Sequence, residues 1–249
     1  MMELPPHFFE VHSNMPRQGP GCNECTRKAY GMIEAPPNPR ILDVGCGPGQ
    51  QTIELAKISG GKIVALDFFE IFLNELKANV EAAGVADKVE VVQGDMNKME
   101  FDDESFDVIW CEGAMFVMGI EKALAAWKKF LKPDGYLCFT ELCWIKENPP
   151  EEVKKFFDNA YPQITDVAGN LKYIENTGYE LVGHFTLGKK AWLEGYFKPI
   201  EEKLPGLKEK HKGDEKAEEY LAMEELEIAT YRKYSDWYGY EFFVTRSSK

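Results

Sequence analysis

From Arg40 onward the sequence alternates two kinds of segment. Short β-branched or aromatic segments, typical of strands, are separated by segments in which apolar residues recur every three or four positions, as in amphipathic helices. Connections of that length return each strand to the same direction and place helices on both faces of the sheet. The sequence therefore predicts an α/β fold with a doubly wound, mostly parallel sheet.

The predicted sheet has seven strands, at residues 41–45, 62–67, 89–95, 106–113, 136–142, 179–187 and 238–246. Helical patterns fill the intervals. The pattern at 69–83 is closed by Gly84, and the pattern at 120–131 is closed by the turn KPDG at 132–135.

Two parts of the chain depart from this alternation. Residues 1–39 are rich in proline and glycine and predict an N-terminal arm, or lid, with one short helix near 24–33. Within the remaining domain, 40–249, the intervals at about 145–178 and 188–237 are longer than turns require. We expect these intervals to form cap insertions over a site.

The composition excludes several classes of protein. The 249 residues are 44% hydrophobic and 29% charged, as in one soluble domain. No apolar run reaches the roughly 20 residues of a membrane helix, and the start lacks a signal-peptide pattern, so we expect a cytoplasmic protein without a membrane partner. A net charge of −13 without a basic cluster argues against nucleic acid as a partner. A homo-oligomer stays open.

Six cysteines are present, and only Cys22 and Cys25 have the CxxC spacing. No second pair completes a zinc site, so we expect no metal. A redox or metal role of this pair stays open, but two free thiols are the favoured interpretation.

The segment ILDVGCGPGQ, at 41–50, joins the first predicted strand to a helix. Its glycines, Gly45, Gly47 and Gly49, let a ligand approach the backbone and the free N–H groups of the new helix. The nicotinamide pattern GxGxxG places the third glycine three positions after the second, whereas here Gly49 comes only two positions after Gly47. No Walker lysine follows, so the turn does not favour a phosphate cradle.

Acids stand at the ends of four predicted strands: Asp43, Asp67, Asp95 and Glu112. The carboxyl ends of parallel strands share one edge of a sheet. A single acid there is often only a helix cap, but four together predict a binding site. Asp67, 18 residues after Gly49, is placed to accept ribose hydroxyls.

Together these motifs resemble the class I S-adenosylmethionine-dependent methyltransferases, over residues 40 to about 145. DVGCGPG matches the family's E/D-x-G-x-G-x-G turn, and LKPDG matches its L-K-P-G-G turn. The segments PRQGPG, CNECTRKAY and WLEGYFKP look like a small-molecule, quinone-biosynthesis-like subgroup, mostly of unassigned substrate. The resemblance implies a Rossmann-like fold, S-adenosylmethionine as cofactor, and in-line methyl transfer to a small-molecule acceptor.

The resemblance also implies roles for individual residues. Asp67 binds the ribose, Asp95 binds the adenine amine, and Asp43 with the Glu112–Gly113 backbone binds the α-ammonium group. The implied cofactor site comprises Asp43, Gly45, Cys46, Gly47, Gly49, Asp67, Phe68, Asp95, Met96, Glu112 and Gly113, with Arg17, Gln18 and Gly21 from the arm.

Methyl transfer to a phenol or a carbon acid needs a general base. His184 and Glu141 are the catalytic candidates, although a strand histidine with one hydrogen bond is the favoured interpretation of His184. Candidates for the acceptor pocket are aromatic, and they are Trp144, Tyr161, Trp192, Tyr196, Phe197 and Tyr231. The alternative is that these rings hold the cap on the sheet.

Two other functions stay open at this point. One is a nicotinamide-dependent oxidoreductase on a similar sheet, which the glycine spacing opposes. The other is a nucleoside-binding sensor without catalytic activity, which the acids alone do not separate from an enzyme.

Overall fold

The computed structural model describes residues 4–248, so the first three residues of the predicted arm and the last residue of the chain lie outside the described part. Its centre is a sheet of eight strands in the order β3-β2-β1-β4-β5-β8-β7, with β6 beside β5. The strands are β1 Arg40–Val44, β2 Lys62–Asp67, β3 Val89–Gln93, β4 Phe106–Cys111, β5 Leu131–Trp144, β6 Thr165–Asp166, β7 Tyr179–Thr186 and β8 Tyr238–Ser247.

Strands β1 to β5 are parallel, whereas β8 runs antiparallel to both β5 and β7. The chain moves outward from β1 to β3 and then returns to place β4 on the other side of β1. This reversal opens a crevice at the carboxyl ends of β1 and β4. The predicted doubly wound, mostly parallel sheet is confirmed, and the two-residue β6 is added to the seven predicted strands.

Ten α-helices surround the sheet in residues 4–248: α1 Pro6–His12, α2 Asn23–Tyr30, α3 Gln50–Ile58, α4 Glu70–Ala82, α5 Ile120–Trp127, α6 Glu151–Ala160, α7 Val167–Asn176, α8 Lys189–Trp192, α9 Lys198–Lys210 and α10 Glu215–Tyr234. A π-helical turn, Leu193–Phe197, joins α8 to α9.

Each face of the sheet has its own apolar core. Ile41 of β1 packs into the core formed with α2, α3 and α4, whereas Leu42 and Val44 pack into the core formed with α5 and α7. β1 is therefore buried on both sides, which accounts for its nearly continuous apolar sequence.

The arm and the cap share a third core. Val11 of α1 packs there with residues of α6, α9 and α10, and Trp192 stacks on Tyr231 at 4.3 Å between ring centroids. Helix α1 begins at Pro6 and was not predicted from the sequence. The predicted arm helix at 24–33 corresponds to α2, Asn23–Tyr30.

Two expectations need correction. The helix predicted to continue to residue 131 ends at Trp127, and after a short 3₁₀ turn the chain enters β5 at Leu131. Cys22 and Cys25 are bonded as a disulfide at the start of α2 and are not two free thiols. No helix within residues 4–248 has both the length and the apolar sequence needed to cross a bilayer.

Candidate active site

A cavity of about 700 Å³ opens at the carboxyl ends of the parallel strands. One side, the rim wall, consists of residues 45–47, 66–69, 94–97 and 112–114. The facing side, the cap wall, consists of Phe156, Phe157, Tyr161, Trp192, Tyr196, Glu227, Tyr238 and Tyr240. The arm contributes Phe8 and residues 17–20, and β5 contributes residues 140–142 between the two walls.

The glycine turn is fixed to the end of β2, because the backbone N–H groups of Gly45 and Cys46 donate to the carbonyl oxygen of Leu66 at 2.8 and 3.0 Å. Gly47, with φ +54°, faces the cavity. A Cβ at Gly49 would meet the Leu76 side chain at 1.9 Å, so this glycine permits α3 to pack on α4 and does not line the cavity.

Asp67 lies beside this turn at the end of β2. Its carboxylate accepts hydrogen bonds from the backbone N–H groups of Gly47 and Phe69, both at 2.9 Å. Burial raises the pKa of Asp67, and these N–H groups oppose the rise. The neighbouring Phe68 is 40% exposed and lines the cavity. An anchored carboxylate therefore stands beside a free aromatic face.

Asp95 and Met96 continue the rim wall after β3. The Asp95 carboxylate accepts hydrogen bonds from the Asn97 side chain and backbone N–H, at 2.9 and 2.8 Å. These bonds hold the pKa of Asp95 below its ordinary value, so this acid is ionised near neutral pH.

The arm is joined to the rim wall by an ion pair. Arg17 Nη1 lies 2.5 Å from Glu112 Oε2, and both side chains are almost fully buried. Thr26 and Trp110 also donate to Glu112, at 2.7 and 2.9 Å. A Cβ at Gly21 would lie 2.8 Å from Arg17 Nη1, so Gly21 packs against the pair and is not among the residues that line the cavity.

Gln18 lines the cavity as well, and its amide donates to the carbonyl oxygen of His12 at 2.7 Å. Gly113 lies at the rim, where its backbone N–H donates to Thr140 Oγ1 at 2.8 Å. Most of the residues predicted for the cofactor therefore reach one cavity.

Asp43, predicted to bind the α-ammonium group, is an exception, because its side chain does not reach the cavity. Its side chain is fully buried, it does not line the cavity, and its carboxylate accepts a hydrogen bond from Thr52 Oγ1 of α3 at 2.5 Å. Burial raises the pKa of Asp43 to about 7 despite that hydrogen bond. Asp43 therefore fixes the start of α3 behind the glycine turn.

Of the two catalytic candidates, only Glu141 reaches the cavity. It is 3% exposed, and its Oε1 accepts a hydrogen bond from the Tyr161 hydroxyl at 2.8 Å. Burial raises the pKa of Glu141 to about 7.

His184 does not line the cavity. Its Nδ1 lies 2.5 Å from Glu241 of β8, and its ring stacks on Phe243. The pairing of β7 with β8 thus fixes His184 as a strand histidine, which was the favoured alternative.

The predicted aromatic pocket separates into two groups. Tyr161, Trp192 and Tyr196 line the cavity. Phe197 and Tyr231 are 1% and 2% exposed and fill the third core, and Trp144 packs edge-on against Phe157 at 5.3 Å. These three rings hold the cap together.

Sequence reasoning missed other lining residues, among them Phe116, Phe156, Glu227, Tyr238 and Tyr240. The period-two pattern YGY at the start of β8 was a usable signal, because residues two apart on a strand share a face. No comparable signal marked Glu227.

Among residues 4–248, one group of three side chains has the geometry of a metal site: His7, Glu10 and His211, with ligand atoms within 4.8 Å of one another. It joins α1 to the end of α9 and is not part of the cavity lining.

Known proteins resemble this chain in sequence and in fold. A family model described as a methyltransferase domain matches residues 41–135. A sterol 24-C-methyltransferase of Gibberella zeae is 29% identical over 156 residues, which are 59% of this chain and 41% of that protein. A demethylmenaquinone methyltransferase of Desulfitobacterium hafniense is 33% identical over 114 residues, 44% of either chain.

The fold similarity extends over the arm and the cap. The structure of a SAM-dependent methyltransferase from Geobacter sulfurreducens, in complex with S-adenosyl-L-homocysteine, has a TM-score of 0.84 at 23% identity and covers 98% of this chain and 99% of that chain. By contrast, the chain spans about half the length of the curated relatives it matches. A methyltransferase-domain model thus matches residues 41–135, and the whole chain has the Rossmann-like α/β fold that the sequence motifs predict.

Proposed function

We propose that the protein transfers the methyl group of S-adenosylmethionine to a small-molecule acceptor by in-line displacement. The rim wall carries this proposal, because Gly47, Asp67 and Phe68 bring a bare backbone, an anchored carboxylate and an exposed ring to one end of the cavity. A nucleoside offers the matching groups, namely hydroxyls for the carboxylate and a flat base for the ring.

The residues present fit the cofactor. Asp67 would accept hydrogen bonds from the ribose hydroxyls, and the ionised Asp95 would accept one from the adenine amine. Phe68 would lie against the base. The methionine part would extend past Glu112 and Gly113, towards β5 and the cap wall.

S-adenosylmethionine supplies a methyl group that its sulfonium already activates. The protein then has to align an acceptor atom and exclude water, and alignment alone can contribute about 7–11 kcal/mol. The arm and the cap serve this purpose, since both contribute residues to the cavity. Where the acceptor must lose a proton, Glu141 remains the catalytic candidate of the two predicted from the sequence.

The partner that this cavity supports is a small acceptor. The net charge of −13 opposes a nucleic-acid partner, and we propose that the protein acts in the cytoplasm.

Calorimetric titration of the full chain tests the proposal. We expect binding of S-adenosylmethionine and S-adenosylhomocysteine, no binding of NADH, and slow transfer of labelled methyl groups to a panel of acceptors. Binding of NADH without S-adenosylmethionine would favour the oxidoreductase, to which the comparisons give no support. Binding with no transfer to any acceptor would favour the sensor.

A further inference from the structure

The charges that line the cavity are unequal in sign. Five acids line it, at positions 67, 95, 112, 141 and 227, and in the described part of the chain the single basic residue among the lining residues is Arg17. Arg17 is neutralised by Glu112. An anionic acceptor would therefore enter a negative cavity without a free cation to receive it.

Three of the five acids already have partners or a proposed part in cofactor binding. Glu112 is paired with Arg17, and Asp67 and Asp95 lie where the nucleoside would lie. Two acids remain beyond them. Glu141 accepts a hydrogen bond from the Tyr161 hydroxyl, so part of its hydrogen-bonding capacity is satisfied within the protein.

Glu227 of α10 has no such partner among residues 4–248. Burial, with the negative charge of Glu224 next to it, raises the pKa of Glu227 to about 7, and no hydrogen bond opposes the rise. Because this half-buried carboxylate lines the cavity without a protein partner, its oxygens can accept hydrogen bonds from a ligand.

Aromatic rings line the same cavity as Glu227, among them Tyr196 and Tyr238. Tyr231, four residues after Glu227 on α10, packs edge-on against Tyr238 at 5.7 Å between ring centroids. Tyr240 lines the cavity with Glu227 and also reaches the rim, where its ring would be 3.4 Å from a Cβ at Gly113. Tyr240 therefore connects the rim wall to the cap wall, to which Glu227 belongs.

A carboxylate among aromatic faces is the environment that binds organic ammonium groups, because the ring faces and the carboxylate both attract a cation. We propose that the cap wall binds an organic amine as the methyl acceptor, with Glu227 as the counter-ion of its ammonium group and Tyr196, Tyr238 and Tyr240 around it. The inference rests on the proposed methyl transfer and adds the class of acceptor.

The chemistry balances with the groups present. The bound ammonium gives one proton to the Glu227 carboxylate, which frees the nitrogen lone pair. The nitrogen then forms the N–C bond, the C–S bond breaks with its electron pair going to sulfur, and the product leaves as a methylated ammonium ion.

Calorimetry on the full chain loaded with S-adenosylhomocysteine tests this inference with three probes of one shape: 3-phenylpropylamine, 3-phenylpropan-1-ol and 3-phenylpropanoate. We expect the amine to bind at least about tenfold more tightly than the alcohol, and the carboxylate not to bind. Glu227→Gln should weaken amine binding by about tenfold and change alcohol binding by less than about twofold.

Glu225→Gln is the matched control, since Glu225 lies on the same helix but is exposed and paired with Lys208. It should leave all three affinities unchanged. The inference is overturned if S-adenosylhomocysteine binds but the amine and the alcohol bind equally, or the carboxylate binds most tightly. It is also overturned if Glu227→Gln weakens both probes equally, or if no probe binds at all. If S-adenosylhomocysteine itself does not bind, the proposed function fails first and the inference fails with it.

Discussion

The two walls of the cavity are built in different ways. In the rim wall, polar groups are fixed by the sheet and its connections: Asp67 is held by two backbone N–H groups, and Glu112 by Arg17, Thr26 and Trp110. In the cap wall, aromatic rings come from α6 and its end, α8, the π-helical turn and β8, and Glu227 of α10 lines the cavity with them without a hydrogen bond from the described residues.

This difference separates the proposed binding of the cofactor from the proposed binding of the acceptor. The rim wall belongs to the two cores on the faces of the sheet, whereas the cap wall belongs to the third core, which α1 shares. Substitutions in the cap wall can therefore change the acceptor without moving the groups proposed to bind the cofactor. Rim-wall variants should lose cofactor binding, and cap-wall variants should lose acceptor binding first.

The largest effect should come from Gly47→Val. Valine at φ +54° is strained, its Cβ would lie 3.3 Å from Gln18 Cγ, and its branches would block approach to the backbone. We expect S-adenosylhomocysteine binding to disappear in calorimetry. Gly84→Val is the control, because Gly84 has φ +68° and no neighbour within 4 Å of an added Cβ, so it carries similar strain far from the cavity. If both variants bind normally, the turn does not touch the ligand.

Arg17→Met should have the next largest effect, on stability. It leaves Glu112 buried without its cation, and breaking a buried pair in this way typically costs about 3–5 kcal/mol. The control is Arg27→Met, because Arg27 is half exposed in its pair with Glu54 and should cost less than about 1 kcal/mol. Urea unfolding measures both. Equal costs would show that the arm is not anchored to the rim wall through Glu112.

Asp67→Ala should weaken cofactor binding by about 10- to 100-fold, because hydrogen bonds to a charged group are worth about 1.5–3 kcal/mol. Asp87→Ala serves as the control, since Asp87 lies in a short turn before β3, outside the cavity. Equal losses in calorimetry would show that the ribose assignment is wrong. Amine binding to the cap wall should change less than cofactor binding in Asp67→Ala.

The rim wall was predictable because its signals are local. Gly47, Asp67 and Asp95 follow strands whose order and direction are set by the alternation of segments, so their common edge could be predicted from the sequence. Their exact partners could not be. The pair Arg17–Glu112 joins residues 95 positions apart, and no sequence pattern specifies which arm residue reaches β4.

The cap wall was predicted less well because its residues come from elements packed by tertiary contacts alone. Tyr231 and Trp192 are equally aromatic, yet one fills the core beneath the other, and only packing decides which ring faces the cavity. The same holds for Asp43. It stands near the carboxyl end of its strand, as the acids of the rim wall do, but its side chain turns towards Thr52.

Stability should depend on pH through two acids with raised pKa values, one behind the rim wall and one in the cap wall. Burial raises the pKa of Asp43, behind the rim, and of Glu227, in the cap wall, from 3.8 and 4.5 to about 7. The folded chain therefore keeps protons that the unfolded chain releases, so stability falls as pH rises from about 4 to about 7 and is level above that range. Asp43→Asn and Glu227→Gln should each flatten this dependence in urea unfolding. An unchanged slope in both variants would contradict the assignment of raised pKa values to these acids.

The smallest effect should come from loosening the arm at its distal end, where Glu10 of α1 contacts Lys210 and His211 at 2.6 and 2.8 Å. Glu10→Gln removes these partly exposed ion pairs, and because α1 also carries Phe8 into the cavity, a freer arm should weaken S-adenosylhomocysteine binding by about two- to fivefold. Glu225→Gln removes a comparably exposed pair, with Lys208, that joins two cap helices and does not involve the arm. A loss in Glu10→Gln alone would show that the arm closes the cofactor end of the cavity. Equal affinities in the two variants would instead mean that the Arg17–Glu112 pair holds the arm without help from α1.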